Sequence, residues 1–227
     1  MGVLIEIAVD TLKDAVAAEQ GGAHRIELCS DLAADGLSPS SELVREVRKA
    51  LTIPIHAMVR PRAGDFCYSD EEFEMMKNEI DEFKSLGVNG IVLGILHADN
   101  SVDQERSAEL IRCVQPLGVT FHRAFDVAVD PFGSLEKIIA AGAVRLLTSG
   151  QQRTAPEGKE LITQLIEASR GRITIMPGAG INERTIGTIA RLQGIQELHI
   201  GNGVKAKGTA GGSCVDPVLV KRLLQYL

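Results

Sequence analysis

The chain has 227 residues, 44% hydrophobic and 24% charged, with no tryptophan and few aromatics. That length fits one α/β barrel or two small domains, built around an aliphatic core. With 30 acidic residues against 24 basic ones the net charge is -6, which argues against non-specific binding to nucleic acid or anionic membranes.

The opening MGVLIEIAVD carries no basic segment or cleavage site and does not read as a signal peptide. It also lacks the sixth-position Ser or Thr of a myristoylation signal, and no apolar run approaches a membrane span. Cys29, Cys67, Cys113 and Cys214 are widely spread without CxxC spacing. They are expected to be reduced thiols in a cytoplasmic protein.

A strand expected at 3–9 (VLIEIAV) leads into a helix at 11–20, and this alternation continues through the chain. Further strands are predicted at 24–29, 54–60, 90–96, 118–125, 144–149, 173–177 and 196–201. The helices fall at 41–50, 70–86, 103–114, 131–141, 156–169, 182–192 and 216–227, with apolar residues at three- and four-residue spacing. Asp10, Ser40, Ser69, Asp103, Asp130 and Asn182 stand where N-caps belong, and Pro131, Pro156 and Pro217 near first helical turns. Gly21, Gly87, Gly142 and Gly194 stand where a left-handed residue would close a helix. Eight strand–helix units in this length predict a single (β/α)₈ TIM-type barrel spanning 1–227. The alternative, a doubly wound open sheet, usually opens with a GxGxxG turn, and AVDTL has no glycine there.

Side chains alternate along a strand, so parity separates the lumen from the face under the helices. Ile5, Ile7, Val9, Ile26, Leu28, Ile55, Ala57, Val59, Phe121 and Phe125 sort outward. Glu6, Arg25, Glu27, Cys29, His56, Met58, Arg60 and His122 sort inward, with Asp126 just beyond the strand on the same parity. Arg123 turns away on simple alternation, unless the strand bends. A lumen normally filled by Val, Ile and Leu thus holds several ionisable groups. They form either a structural ion-pair network or an active site at the C-terminal strand ends.

The loops suggest an anion. RPRAGDFCYSD (60–70) brings Arg60 and Arg62, with Asp65 either neutralising them or joining the site. LTSGQQ offers Thr148, Ser149 and Gly150, and MPGAGIN places Gly178 and Gly180 before a helix start. With Gly201 and Asn202 these glycines form a candidate phosphate cradle between the seventh and eighth loops. The glycine-rich segment 201–217 reads as a lid or a disordered loop.

GAHRIELCSDLAADGLSPS, MVRPRAGDFCYSD, TFHRAFD, LTSG and IMPGAGI together make the chain resemble the CutC family from residue 1 to about 200. The resemblance implies a cytoplasmic, barrel-like and often oligomeric protein linked to copper homeostasis, in a family some of whose members are described as binding copper. It implies that Glu6, Glu27, Arg60, Arg62, Asp65, His122, Arg123, Asp126, Thr148, Ser149 and Gly150 fall on motif positions. The chain departs from the pattern at Ala8, where family members often carry cysteine, and at Ala63 and Asp35, where glycine is common.

Two functional expectations follow. A Cu(I) site would draw on Cys29 and Cys67 with a histidine, because Cu(I) prefers soft sulfur ligands. A barrel enzyme (isomerase, lyase or hydrolase) would use His122 with Glu6 or Glu27, and Asp126, as acid and base. Arg60, Arg62 and Arg123 would then hold a small phosphorylated or carboxylated substrate, assisted by Thr148, Ser149 and the loop glycines. The expected partners are a small anion or a copper ion and further copies of the chain, and neither nucleic acid nor membrane.

Overall fold

A computed structural model describes residues 2–207 and 213–227. Eight parallel strands form one sheet: β1 (Leu4–Val9), β2 (Arg25–Leu28), β3 (Ile55–Met58), β4 (Gly90–Leu93), β5 (Gly118–Phe121), β6 (Arg145–Thr148), β7 (Thr174–Pro177) and β8 (Glu197–Ile200). Their order, β7-β6-β5-β4-β3-β2-β1-β8, brings the two ends of the sheet back to each other, and β7 packs beside β8 without a hydrogen-bonded ladder. The result is a nearly closed barrel, as the strand–helix alternation predicts.

Eight helices follow the strands: α1 (Leu12–Gln20), α2 (Ser41–Ala50), α3 (Asp70–Ser85), α4 (Gln104–Val114), α5 (Pro131–Ala141), α6 (Lys159–Ser169), α7 (Ile186–Ala190) and α8 (Pro217–Leu224). Among the described residues, none is long and apolar enough to cross a membrane. Ser40, Ser69, Asp103 and Asp130 cap their helices as expected, and Ser69 and Glu72 form a full capping box. Thr11 rather than Asp10 caps α1, because its hydroxyl accepts from Asp14 N–H at 3.1 Å. α7 begins four residues beyond Asn182, whose side chain instead closes a turn on Arg184 N–H, and α6 begins three beyond Pro156. Gly87, Gly142 and Gly194 take positive φ, whereas Gly21 stays right-handed and Gly22 takes φ +92°.

The aliphatic core lies between strands and helices. Ile5, Ile7, Ile26, Leu28, Ile55, Ile91, Leu93 and Phe121 are all fully buried there, each contributing about 1.5–3 kcal/mol of apolar transfer. This outer layer supports a lumen lined with polar groups. After β8 the chain adds a short antiparallel pair, β9 (Lys205–Lys207) and β10 (Ser213–Val215), tied to α1 where Val215 N–H donates to Asp14 at 3.0 Å. The central part of the anticipated lid, 208–212, lies outside the described residues.

Candidate active site in the barrel lumen

Strand register determines which charges meet. Glu6 on β1 stands opposite Arg25 on β2 and His199 on β8, and Glu27 stands opposite His56 on β3. Arg25 Nε donates to Glu6 Oε2 at 2.5 Å, and its Nη2 donates to Glu197 Oε2 at 2.6 Å. Arg145 on β6 completes this lower layer through Glu197 at 2.9 Å. Two guanidiniums thus face two carboxylates, the pairing that buried charges need.

Above that layer His199 bridges the acids: Nδ1 lies 2.8 Å from Glu6 Oε1 and Nε2 3.8 Å from Glu27 Oε2. Burial alone would raise the Glu6 pKa, but Arg25, His199 and His56 outweigh it and hold the carboxyl far below the usual range. Glu6 is therefore a carboxylate, and His199 Nδ1 carries the proton that bonds to it. Burial also opposes charge on His199, yet Glu27 and Glu6 overcome it and raise the imidazole pKa. Glu27 behaves differently. Burial, reinforced by Glu6, pushes its pKa up to about 7 against the pull of His199 and Arg25, and its Oε1 is buried with no hydrogen-bond partner.

His122 directly follows β5, and its ring lies 5.0 Å from the Phe66 ring. Burial, helped by Arg60, drives its pKa down to about 3, so the ring is neutral at pH 7. Its Nδ1 accepts from Ala124 N–H at 3.2 Å; the proton therefore sits on Nε2, which is buried without a partner. Two glycines, Gly90 on β4 and Gly94 just after it, make room for the lumen imidazoles. A β-carbon on Gly90 would lie 2.6 Å from His56 Cδ2, and one on Gly94 would lie 2.6 Å from His122 Nδ1.

Arg60 is the third group left incomplete. It is 4% exposed. Its Nη1 donates to the carbonyls of Ala34 and Gly36 at 2.7 and 3.0 Å, and its Nη2 to that of Gly64 at 3.2 Å. The guanidinium stacks 4.9 Å from the centre of the Phe66 ring. Its Nε makes no full hydrogen bond, the uncharged Tyr68 hydroxyl lies near the guanidinium, and no carboxylate pairs with it among the described residues. Arg60 is thus a buried cation without a countercharge, held by neutral carbonyls beside the His122 N–H.

Glu27, Arg60, His122 and His199 line one cavity of about 680 Å³ that opens at the C-terminal strand ends. Arg123, Asp126, Gly180 and Asn202 stand at its edge, with Met58, Phe66, Leu147 and Ile181 as apolar walls. Such a volume accommodates a small metabolite.

The remaining predicted residues divide sharply. β5 ends at Phe121, and a 3₁₀ turn at Arg123–Val127 breaks strand parity. That turn returns Arg123 to the mouth, where its Nε donates to Asp126 at 2.8 Å. Asp126 also accepts from the Thr148 hydroxyl at 2.6 Å, Ser149 N–H at 3.0 Å and Gln151 N–H at 3.2 Å. Asp126, Thr148 and Ser149 therefore hold the sixth loop in shape, and neither hydroxyl lines the cavity. Gly150, with φ +70°, packs against Gly158 in that loop. Arg62 and Asp65 lie outside the lining: Arg62 binds Asp65 at 2.8 Å, Glu72 at 2.7 Å and the Cys67 carbonyl at 2.8 Å. Of the three arginines expected to hold an anion, Arg60 and Arg123 line the cavity and Arg62 does not. Gly178 is also outside the lining. A β-carbon there would strike Leu147 at 2.6 Å and crowd the His199 ring at 3.4 Å, so it gives His199 its place. The helix expected to follow MPGAGIN directly starts at Ile186 and is five residues long. The seventh loop thus presents no long-helix N-terminus to an anion.

Metal ligands can be judged from the same geometry. Among the described residues, Glu6, Glu27 and His199 form the one trio of ligating side chains with atoms within 4.8 Å of one another. Arg25 and His199 already occupy both Glu6 oxygens. The cysteines do not fit a Cu(I) thiolate centre. Burial, with Glu27 and Asp10 adding to it, pushes the Cys29 thiol pKa far up; the thiol points to the Val9 carbonyl at 3.5 Å and packs with Met58 and Val92. Cys67 lies outside the cavity lining.

The sequence profile of the CutC family matches residues 3–204. A human copper homeostasis protein cutC homolog is 46% identical over 198 residues, covering 87% of this chain and 72% of that protein. The solved structure of the CutC protein from Streptococcus agalactiae superposes with a TM-score of 0.83 at 32% identity, covering 87% of this chain and 98% of the other. Thiamine phosphate pyrophosphorylase from Pyrococcus furiosus shares the fold alone, at a TM-score of 0.65 and 13% identity over 99% of this chain and 94% of that one. With its profile, its relatives and its barrel in agreement, the chain belongs to the CutC family, which is associated with copper homeostasis.

Proposed function

We propose that the protein binds a small organic anion in the mouth of the barrel, where His122 donates a hydrogen bond to it and Glu27 exchanges a proton with it. The observation that carries this reading is Arg60, a buried guanidinium with an unused Nε and no acidic partner among the described residues. A buried charge needs a countercharge, and a phosphate or carboxylate in the cavity would supply one. His122 and Glu27, each with a buried polar atom that has no partner, line the same cavity. His122 is suited to donate a hydrogen bond to a ligand oxygen. Glu27, with a pKa near 7, is suited to give or take a proton at neutral pH. The matching reaction class is proton transfer on an anionic metabolite: an isomerisation, an elimination or a hydrolysis. These steps use only Arg60, His122 and Glu27 and draw on no copper ligand.

A thermal-shift screen with phosphorylated sugars, small carboxylates and Cu(I) tests the reading. An organic anion should raise the melting temperature of the wild type and not that of Arg60→Met. A response to Cu(I) alone, or an anion response unchanged in Arg60→Met, would refute it.

A further inference from the structure

We propose that His199 is the proton partner of Glu27, and that Glu6, by bonding to its far nitrogen, orients the ring so that Nε2 faces that carboxyl across the cavity wall. The proposal rests on the proton-transfer reading above but stands on separate geometry. Glu6 is fully buried, with one oxygen held by Arg25 at 2.5 Å and the other 2.8 Å from His199 Nδ1. Arg25 is itself held by Glu197, two residues before His199 on the same strand face. The scaffold that fixes Glu6 and the one that carries the imidazole are therefore joined. Gly178 leaves the space that the ring fills.

The consequence is a proton relay in which one proton has two neighbouring homes. When a ligand C–H or O–H gives its proton to Glu27, the bonding electron pair stays on the ligand. Glu27 can pass that proton to His199 Nε2, and Glu6 stabilises the resulting imidazolium. Returning the proton to a second ligand atom completes an isomerisation without oxidant or reductant. Glu27 and His199 then act as one acid–base unit, while His122 remains a neutral donor. The charged groups facing His199 are Glu6 from β1, Glu27 from β2 and Arg123 from the turn after β5. Just after β7 the uncharged Gly178 packs against it.

Nitrogen NMR of the histidine-labelled full chain between pH 5 and 9 tests the relay without any ligand. The expected result is that His199 Nδ1 stays protonated throughout while Nε2 titrates. In Glu27→Gln the His199 midpoint should fall by about 1 pH unit or more, as expected when a nearby opposite charge is removed. Glu6→Gln should release the tautomer. If that variant does not fold, the wild type and Glu27→Gln still decide the matter. A neutral wild-type ring protonated on Nε2, or a midpoint unmoved in Glu27→Gln, would overturn the proposal. So would stoichiometric Zn²⁺ capturing Nε2, which would make the trio a metal site. Arg60→Met should leave this spectrum intact while abolishing the anion response, so the two readings fail independently.

Discussion

Replacing Glu27 with Gln should change how stability depends on pH, and in a direction set by burial. The Glu27 pKa rises from an ordinary 4.5 to about 7 in the folded protein. A carboxyl whose pKa is raised on folding binds its proton more tightly folded than unfolded. The stability this contributes is complete below pH 4.5 and is lost as pH climbs through 7. At about 1.36 kcal/mol per pH unit, the gap, which already includes the opposing His199 charge, amounts to roughly 3 kcal/mol. Glutamine has nearly the same shape and stays neutral. Urea unfolding of both proteins at pH 5 and pH 8.5 measures the difference. Glu27→Gln should gain on the wild type by about 2–3 kcal/mol between the two conditions. A stability difference that does not change with pH would refute the reasoning and place the Glu27 pKa near that of an ordinary surface acid.

Gly94→Ala should cost about 1–3 kcal/mol, because its methyl group would overlap the His122 ring in a packed lumen; thermal melting reads this directly, and Gly187→Ala, with open space around it and no positive φ, controls for crowding. Asp126→Asn should destabilise by about 2–4 kcal/mol, since it exchanges a carboxylate accepting from Arg123, Thr148 and the sixth-loop backbone for a weaker acceptor; faster proteolysis within 148–152 would report the loosened loop. Cys29→Ser should leave Cu(I) stoichiometry and affinity unchanged in a competition titration with a Cu(I) chelator, and a lost equivalent would restore Cys29 as a ligand.

The barrel and half of its lumen were legible in the sequence because both depend on period. Alternation along β1, β2 and β3 is enough to turn Glu6, Arg25, Glu27, His56 and Arg60 inward, and the strand register then sets which of them pair. The same parity applied to QELHIG and VRLLTS would have found His199, Glu197 and Arg145, but these strands are short and their polar residues resemble loop flanks. Gly90 and Gly94 were invisible for another reason: their role is to be absent, leaving volume for imidazoles from other strands. Arg62 illustrates the limit for charged loops. Sequence supplies a guanidinium, but its local acids, Asp65 and Glu72, decide whether it faces a ligand or its own loop. Parity alone leaves Arg123 open, because the strand stops two residues earlier and a 3₁₀ turn resets the alternation.

The most direct measurement follows the Arg60 Nε–H and His122 Nε2–H resonances of the wild type. The titrant is the anion that gives the largest thermal shift. Both protons should move together and saturate with the same dissociation constant, because both belong to side chains that line the cavity and neither has a hydrogen-bond acceptor. If surface groups respond while these two stay fixed, the buried cation has no exchangeable countercharge and the site does not bind an anion.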